Sequence, residues 1–419
     1  MEADRTKWDA IVIGSGIGGL ACAAALTRVG QRVLLLEKHS VPGGLTQTFS
    51  RNGFTWDVGV HYLGDMGPQG AVRAVLDWLS DKSIEFASIG AIYETIHFPD
   101  DFAIQFSRPE AALKLDLKEK FPQADDELHE FFVALADAER AGRALFAQHA
   151  TPPLLAKLYE FWYHKDIEKW WGRTALEVMQ EMISDPRLRA VLLAQRGNYG
   201  GAPRESSFGM HATVMRHYFN GASYPVGGAR AFADKLVPVI ESRGAVRLNA
   251  EVAQLIVDNG AIQGVQLADG EQIHSARVFS DIGAHNTVSR LLPTDLREAE
   301  WAQWILSLRP SACHIGLYLG LEGDIQANGA TPSNHLFYES WEIDQGSWKD
   351  PFADSVPPAL FVSFPSLKNP QHDPGPAQRH TAELVAMTSW EAFSQWQDSV
   401  YGNRPESYAA FKETIERNL

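Results

Sequence analysis

Cysteine is nearly missing: Cys22 and Cys313 are the two in 419 residues. At most one disulfide is possible, which points to a reducing compartment. No CxxC pair and no Cys/His/Asp/Glu grouping has metal-ligand spacing, so no metal is expected. Positive charge is also short. Lys and Arg number 37 against 52 Asp and Glu, a net charge of −15. That balance argues against nucleic acid as a partner and against a general attraction to anionic lipid. No apolar run reaches the roughly 18 residues a membrane span needs. The first eight residues are charged and carry no signal-peptide hydrophobic region, so a cytoplasmic protein is expected. There is no internal repeat, no Ser/His/Asp motif and no paired-carboxylate signature. With those absent, the hard chemistry falls to a bound cofactor.

Residues 10–37 say which kind. An apolar strand, Ala10–Ile13, runs into Gly14-Ser15-Gly16-Ile17-Gly18-Gly19. An Ala-rich helix follows to about Val29, and Gly30 is placed to end it. A second buried strand, Val33–Leu36, ends on Glu37. This is the dinucleotide-binding fingerprint in its full strand–turn–helix–strand context. Gly14 permits the tight turn, Gly16 lets backbone approach a diphosphate, and Gly19 lets the helix pack close to the sheet. The helix N-terminus offers free N–H groups to the phosphates. Glu37 is placed to accept hydrogen bonds from a ribose diol, and its charge would repel the 2′-phosphate of NADP.

After Glu37 a simple dehydrogenase continues its βαβ alternation. This chain instead gives Lys38, then a loop with Gly43, Gly44, Leu45, Thr46 and Thr48, then the short aromatic strand 53–64 with His61 and Tyr62 near its end. The double glycine is a second place where backbone approaches a phosphate or a ring. The pattern resembles the flavoprotein family of phytoene desaturases, carotenoid isomerases and amine oxidases, and 53–64 looks most like its retinol saturase branch. The resemblance implies FAD held by Gly14, Ser15, Gly16, Ile17, Gly18, Gly19, Glu37, Lys38, Gly43, Gly44 and Thr46. It also implies that the second loop lies close to the isoalloxazine. The family often has Arg directly after the double glycine, where this chain has Leu45.

A second matching block covers 224–290. Pro225-Val226-Gly227-Gly228 precedes an amphipathic helix over about 229–243, with Phe232, Leu236, Val237 and Ile240 on one face. Pro238 should kink or split that helix. Strands are expected near 246–248, 252–257 and 261–267, with Asp258-Asn259-Gly260 as a hairpin turn. Residues 277–280 read as a buried strand returning to the main sheet. In similar flavoproteins the residue after the acid, here Val252 after Glu251, contacts the adenine; a plain strand residue is the other reading.

The expected fold class is therefore α/β: a Rossmann-type FAD-binding domain interleaved with an α+β substrate domain. The expected division is 1–64 and 224–290 for the cofactor domain, 65–223 as a mainly helical substrate or lid region, and 291–419 as a substrate-domain sheet with helices. In that last part, strands are read at 312–319, 360–365 and 383–387. Six aromatics and three lysines interleave over 154–171. Such a helix packs on the substrate domain with Lys stems covering apolar surface, or lies in a bilayer interface as a peripheral membrane contact. The chain stops on an amphipathic helix over 408–419, whereas family members continue with a Gly-rich segment that contacts the diphosphate and flavin. The expectation is a sequence incomplete at its C-terminus, with weakened FAD retention.

The implied reaction is hydride transfer at flavin N5 to or from a carbon of an apolar, conjugated small molecule, a retinoid or carotenoid. Saturation, desaturation and isomerisation all occur on this framework. NAD(P)H is a candidate external reductant, but no second GxGxxG marks a site for it. No catalytic residue is assigned; His61 and Tyr62 are the polar groups placed nearest the flavin, with His211, His217 and Tyr218 on a helix over 206–219. Two alternatives stand: an amine-oxidase-like enzyme, and a non-catalytic prenyl- or lipid-binding protein of the Rab escort type. Nothing in the sequence speaks to oligomeric state.

Overall fold

A computed structural model describes residues 8–309, 311–344, 347–353, 355–400 and 402–419. Its first layer is a parallel sheet in the order Val278–Ser280, Ala10–Ile13, Val33–Leu36, Ala245–Arg247. The two central strands are apolar at every position because both faces are covered. Val12, Val33 and Leu35 pack with Leu20, Ala23 and Ala24 of the helix Ile17–Arg28 and with Phe232, Leu236 and Ile240 of the helix Ala231–Glu241. Ile11, Ile13, Leu34 and Leu36 point the other way, onto Val252, Val265, Leu267 and Ile273. Those last residues belong to an antiparallel sheet of Val252–Asp258, Ala261–Leu267 and Gln272–His274. Its hairpin turns on Asn259 and Gly260, both at positive φ (49° and 74°), the backbone a two-residue hairpin prefers.

The helix Ala231–Glu241 runs through Pro238 without splitting. The core packing of Phe232, Leu236 and Ile240 holds it, and the lost N–H falls in its last turn. The strand Val278–Ser280 does return to the main sheet, pairing parallel with Ala10–Ile13, but as the edge strand it is largely exposed and not buried.

The second layer is a six-stranded sheet: Cys313–Glu322, Arg379–Thr388, Ala359–Ser363, Asn334–Tyr338, Ile92–Phe98, Phe102–Ser107. Two of these strands correct the expectation for 65–223. Ile92–Phe98 and Phe102–Ser107 form a hairpin, and Ile92–Phe98 pairs parallel with Asn334–Tyr338. The helical region therefore donates an edge to the later sheet. Short polar interruptions (Glu94, His97) hide the period of the first strand, and Asn334–Tyr338 was not visible in the sequence at all. The helices Glu110–Lys120, Asp125–Ala150, Ala175–Met182, Pro186–Leu193 and Phe208–His217 bury their apolar faces in one core with this sheet. Among the described residues no helix is long and apolar enough to cross a membrane. Cys22 and Cys313 are both free thiols.

Candidate active site

Two cavities meet at one residue. The first, about 600 Å³, opens over the glycine turn. Gly14, Ser15, Gly16, Ile17 and Gly18 form its floor, Glu37 and Lys38 one wall, and Gly44, Leu45, Thr46 and Val252 the rest. Gly19 and Gly43 lie just beneath it. A Cβ on Gly19 would sit 2.0 Å from the Gly14 carbonyl oxygen, so only glycine lets the helix pass this close to the strand end. A Cβ on Gly44 would meet Gly16 Cα at 2.9 Å. Gly43, at φ 122°, donates its N–H to the Ser15 carbonyl (3.0 Å), and Thr46 Oγ1 donates to the Gly43 carbonyl (2.7 Å). The two glycine loops are thus tied into one backbone cradle.

Glu37 is buried at the end of its strand. Its Oε2 accepts from Ser15 N (2.9 Å) and Ser15 Oγ (2.6 Å), and its Oε1 from His39 N (2.8 Å). Burial works against the charged form, but the bonds from Ser15 and His39 outweigh it and hold the carboxyl below its ordinary value. The acid therefore stays ionised, with one acceptor site still open on Oε1. Asp281, directly after the returning strand, escaped the sequence reading. Its Oδ2 accepts from Gly19 N at 2.7 Å, and a Cβ on Gly16 would stand 2.8 Å from the same oxygen. Ile17 and Gly18 N–H remain without an intrahelical acceptor. An acid at a strand end facing the glycine turn was the available signal, as with Glu37.

The second cavity, about 390 Å³, lies between the cofactor layer and the six-stranded sheet. His61 and Tyr62 line this cavity and not the dinucleotide crevice. Leu45, 66% exposed, borders both. Leu336, Phe361, Val385 and Met387 give the second cavity apolar walls; Gln195, Asn198 and Tyr218 give it one polar end. Of the three candidates on the later helix, Tyr218 reaches the cavity, stacked on Tyr62 at 4.5 Å. His211 is buried against the Tyr199 hydroxyl (3.1 Å), and His217 Nε2 accepts from Gly64 N (3.0 Å).

Behind the cavity sits a buried polar network that the sequence did not disclose. Tyr62 Oη donates to Glu94 Oε1 (2.9 Å), Gln195 Nε2 donates to Glu94 Oε2 (2.7 Å), and Asn198 Nδ2 donates to Tyr62 Oη (2.8 Å). Burial pushes the Glu94 carboxyl up to about 7, against the bonds from Gln195 and Tyr62 and the charge of Lys368. Lys368 is buried too. Its Nζ donates to the His61 carbonyl (2.8 Å), to Ser363 Oγ (2.7 Å) and to Asn334 Oδ1. Burial lowers its ammonium to about 7, opposed by Glu383, Asp57 and Glu94. Asp57, which accepts from the Tyr224 hydroxyl and from Ala229 N (3.0 Å), is pushed up to about 7 by burial. His61 Nδ1 lies 2.9 Å from Oε2 of buried Glu383, a close contact without hydrogen-bond angles. The strands bearing these groups are remote in sequence, so no local pattern announces the cluster. Among the described residues no group of His, Cys, Asp and Glu is arranged to hold a metal ion.

Residues 12–79 match the NAD(P)-binding Rossmann-like domain family. Over 430 aligned residues the chain is 31% identical to the all-trans-retinol 13,14-reductase of Danio rerio, covering 97% of this chain and 70% of that protein. The chain belongs to the all-trans-retinol 13,14-reductase family. The human reductase of that name is 30% identical over 98% of this chain and 70% of its own length. A more distant relative, prolycopene isomerase of Daucus carota, is 26% identical over 94% of this chain and 65% of its own. Among solved structures, an oxidoreductase from Methanosarcina mazei superposes with TM-score 0.65 at 17% identity, covering 97% of this chain and 84% of that one. A putrescine oxidase variant gives 0.62 at 12%, covering 98% and 80%. The Rab GDI of Plasmodium falciparum gives 0.52 at 10%, covering 93% and 85%. These three share the fold, which hosts an oxidoreductase, an oxidase and a Rab GDI alike and does not choose between them.

Proposed function

We propose that this member of the reductase family is an FAD-dependent oxidoreductase that reduces a carbon–carbon double bond of a retinoid- or carotenoid-like polyene. The observation that carries the reading is the meeting of the two cavities at Leu45: a glycine cradle with a ribose-binding acid on one side, an apolar chamber with one polar end on the other. FAD in that position would supply a hydride at N5 when reduced by an external donor such as NAD(P)H. The residues present fit it. Gly14, Gly16 and Gly18 would present bare backbone to the diphosphate, and Glu37 would offer its remaining acceptor to the ribose. The Asp281 carboxylate, which accepts from Gly19 N and stands against Gly16 and Gly18, would have to turn aside for a diphosphate to reach the helix N-terminus.

The chain's own part is orientation and proton supply. Leu336, Phe361, Val385 and Met387 hold a polyene by apolar contact and keep water from the reacting carbons. Asn198 and Gln195 at the polar end suit a terminal hydroxyl. Hydride addition to one alkene carbon requires a proton at its neighbour, and His61, which lines the chamber beside Glu383, is the group we propose to deliver it. The carrot isomerase favours a second reading on the same chamber, double-bond isomerisation without net reduction.

The test is anaerobic incubation of the protein with FAD, a reductant and all-trans-retinol or a cis-carotene, with product masses read by chromatography. A product two hydrogens heavier supports the reduction. A product of unchanged mass and altered geometry supports the isomerase reading. Recovery of both substrates untouched, from protein shown to bind FAD, overturns both.

A further inference from the structure

We propose that the outward face of the helix Pro153–Trp171 docks into the interface of a lipid bilayer. The helix has two apolar faces, and the protein uses one of them. Ala156, Tyr159, Tyr163, Ile167 and Trp170 recur at spacings of three and four and are the less exposed side chains; this face meets the helix Asp125–Ala150. At about 100° per residue, Leu154, Leu155, Leu158, Phe161 and Trp162 fall in an arc of about 120° on the opposite side. All five are exposed, Phe161 at 81%, Leu154 at 78% and Trp162 at 67%. Single exposed apolar residues are ordinary on a folded protein; five on one continuous helix face, pointing away from the body, are not.

The order of residues along that arc selects a bilayer over a protein groove. Three leucines come first, at the helix start. Phe161 and Trp162 follow. Beyond them the same arc carries Lys165 and Lys169. Aliphatic, then aromatic, then lysine is the depth profile of a membrane interface, with rings at headgroup level and ammonium groups reaching to water. A helix tilted with its start inserted satisfies every one of these side chains. Charge gives no independent pull. The helix holds Lys157, Lys165 and Lys169 against Glu160, Asp166 and Glu168, and the whole chain is at −15. Docking is therefore by apolar burial, and neutral phosphatidylcholine suffices. The inference does not rest on the redox reading, because vesicle binding is measured without cofactor or substrate.

The experiment is flotation of the protein with phosphatidylcholine vesicles, beside the double variant Phe161→Glu/Trp162→Glu and the milder Phe161→Ala/Trp162→Ala. The wild type floats, the Ala pair partitions less, and the Glu pair falls at least about tenfold, with circular dichroism and melting temperature unchanged because both side chains face solvent. Wild-type protein that stays unbound at millimolar lipid overturns the proposal, and so do Glu and Ala variants that float as well as wild type. A Glu pair that instead abolishes self-association, with no change in vesicle binding, assigns the face to a second copy of this chain and also overturns it.

Discussion

The two cavities are built on opposite principles. The dinucleotide crevice is backbone: glycines that leave space, N–H groups at a helix start, and one carboxylate 18 residues beyond Gly19 in the chain. The chamber beside it is side chain: Glu94 meets Gln195 across 101 residues, and Lys368 meets the His61 carbonyl across 307. The first spends no buried charge beyond Glu37, whose partners keep it ionised. Behind the second, Glu94, Asp57 and Lys368 are all displaced towards neutrality by burial. A cradle for phosphate is thus made locally and costs the fold little, whereas a chamber backed by buried titratable groups is assembled globally and costs stability near neutral pH.

Four substitutions sharpen that contrast, from the largest expected effect down. Lys368→Met strands three buried acceptors, those of His61, Asn334 and Ser363. We expect a loss of about 4 kcal/mol in urea unfolding; an unchanged midpoint would mean the chamber wall is not integral to the core. Glu94 comes next, through pH. From its ordinary 4.5 up to about 7 the folded chain keeps a proton that the unfolded chain has released. The folded state binds more protons in that window, so stability falls as pH rises through it. Asp57 acts the same way from 3.8 to about 7. Lys368 acts oppositely: between about 7 and 10.5 the unfolded chain keeps the proton, and stability rises with pH. Glu94→Gln should flatten the acid-side slope, sparing on the order of 3 kcal/mol between pH 4.5 and 8, as read by melts across pH. Equal slopes in both proteins would contradict the burial account.

On the crevice side, Gly16→Val fills the diphosphate space beside Asp281 and should weaken ADP and FAD binding at least about a hundredfold, some 2.7 kcal/mol, with the far-UV spectrum intact. Glu37→Gln, which keeps the shape and removes the charge, should cost about tenfold in ADP-ribose affinity and less in binding of inorganic diphosphate. Calorimetric titration measures both. If Gly16→Val unfolds the chain, or Glu37→Gln weakens diphosphate as much as ADP-ribose, the division between a backbone cradle and a ribose-binding acid does not hold.

The same contrast explains what could be read beforehand. Ala10–Ile13, the glycine turn, the helix and Val33–Leu36 declared themselves because each signal is local: apolar runs buried on two faces, small residues at a close packing, an acid at a strand end. The hairpin at Asn259-Gly260 was legible for the same reason. Ile92–Phe98 and Asn334–Tyr338 were not, since Glu94, His97, Asn334 and His335 break the apolar period, and their place is set by pairing with each other. His61 and Tyr62, expected to be the polar groups nearest the flavin, line the chamber and not the crevice. Their partners, Glu383 and Glu94, are two unremarkable acids until the sheet closes. Asp281 lay one residue past a strand that was recognised and could have been found by the logic applied to Glu37.

Titration of the purified protein with FAD, followed by flavin absorbance and repeated in excess ADP and with Gly16→Val, bears most directly on the whole account. We predict one FAD per chain, displaced by ADP and lost in the variant. FAD that binds equally well with ADP present and with valine at position 16 would show that the opening glycine turn does not hold the cofactor.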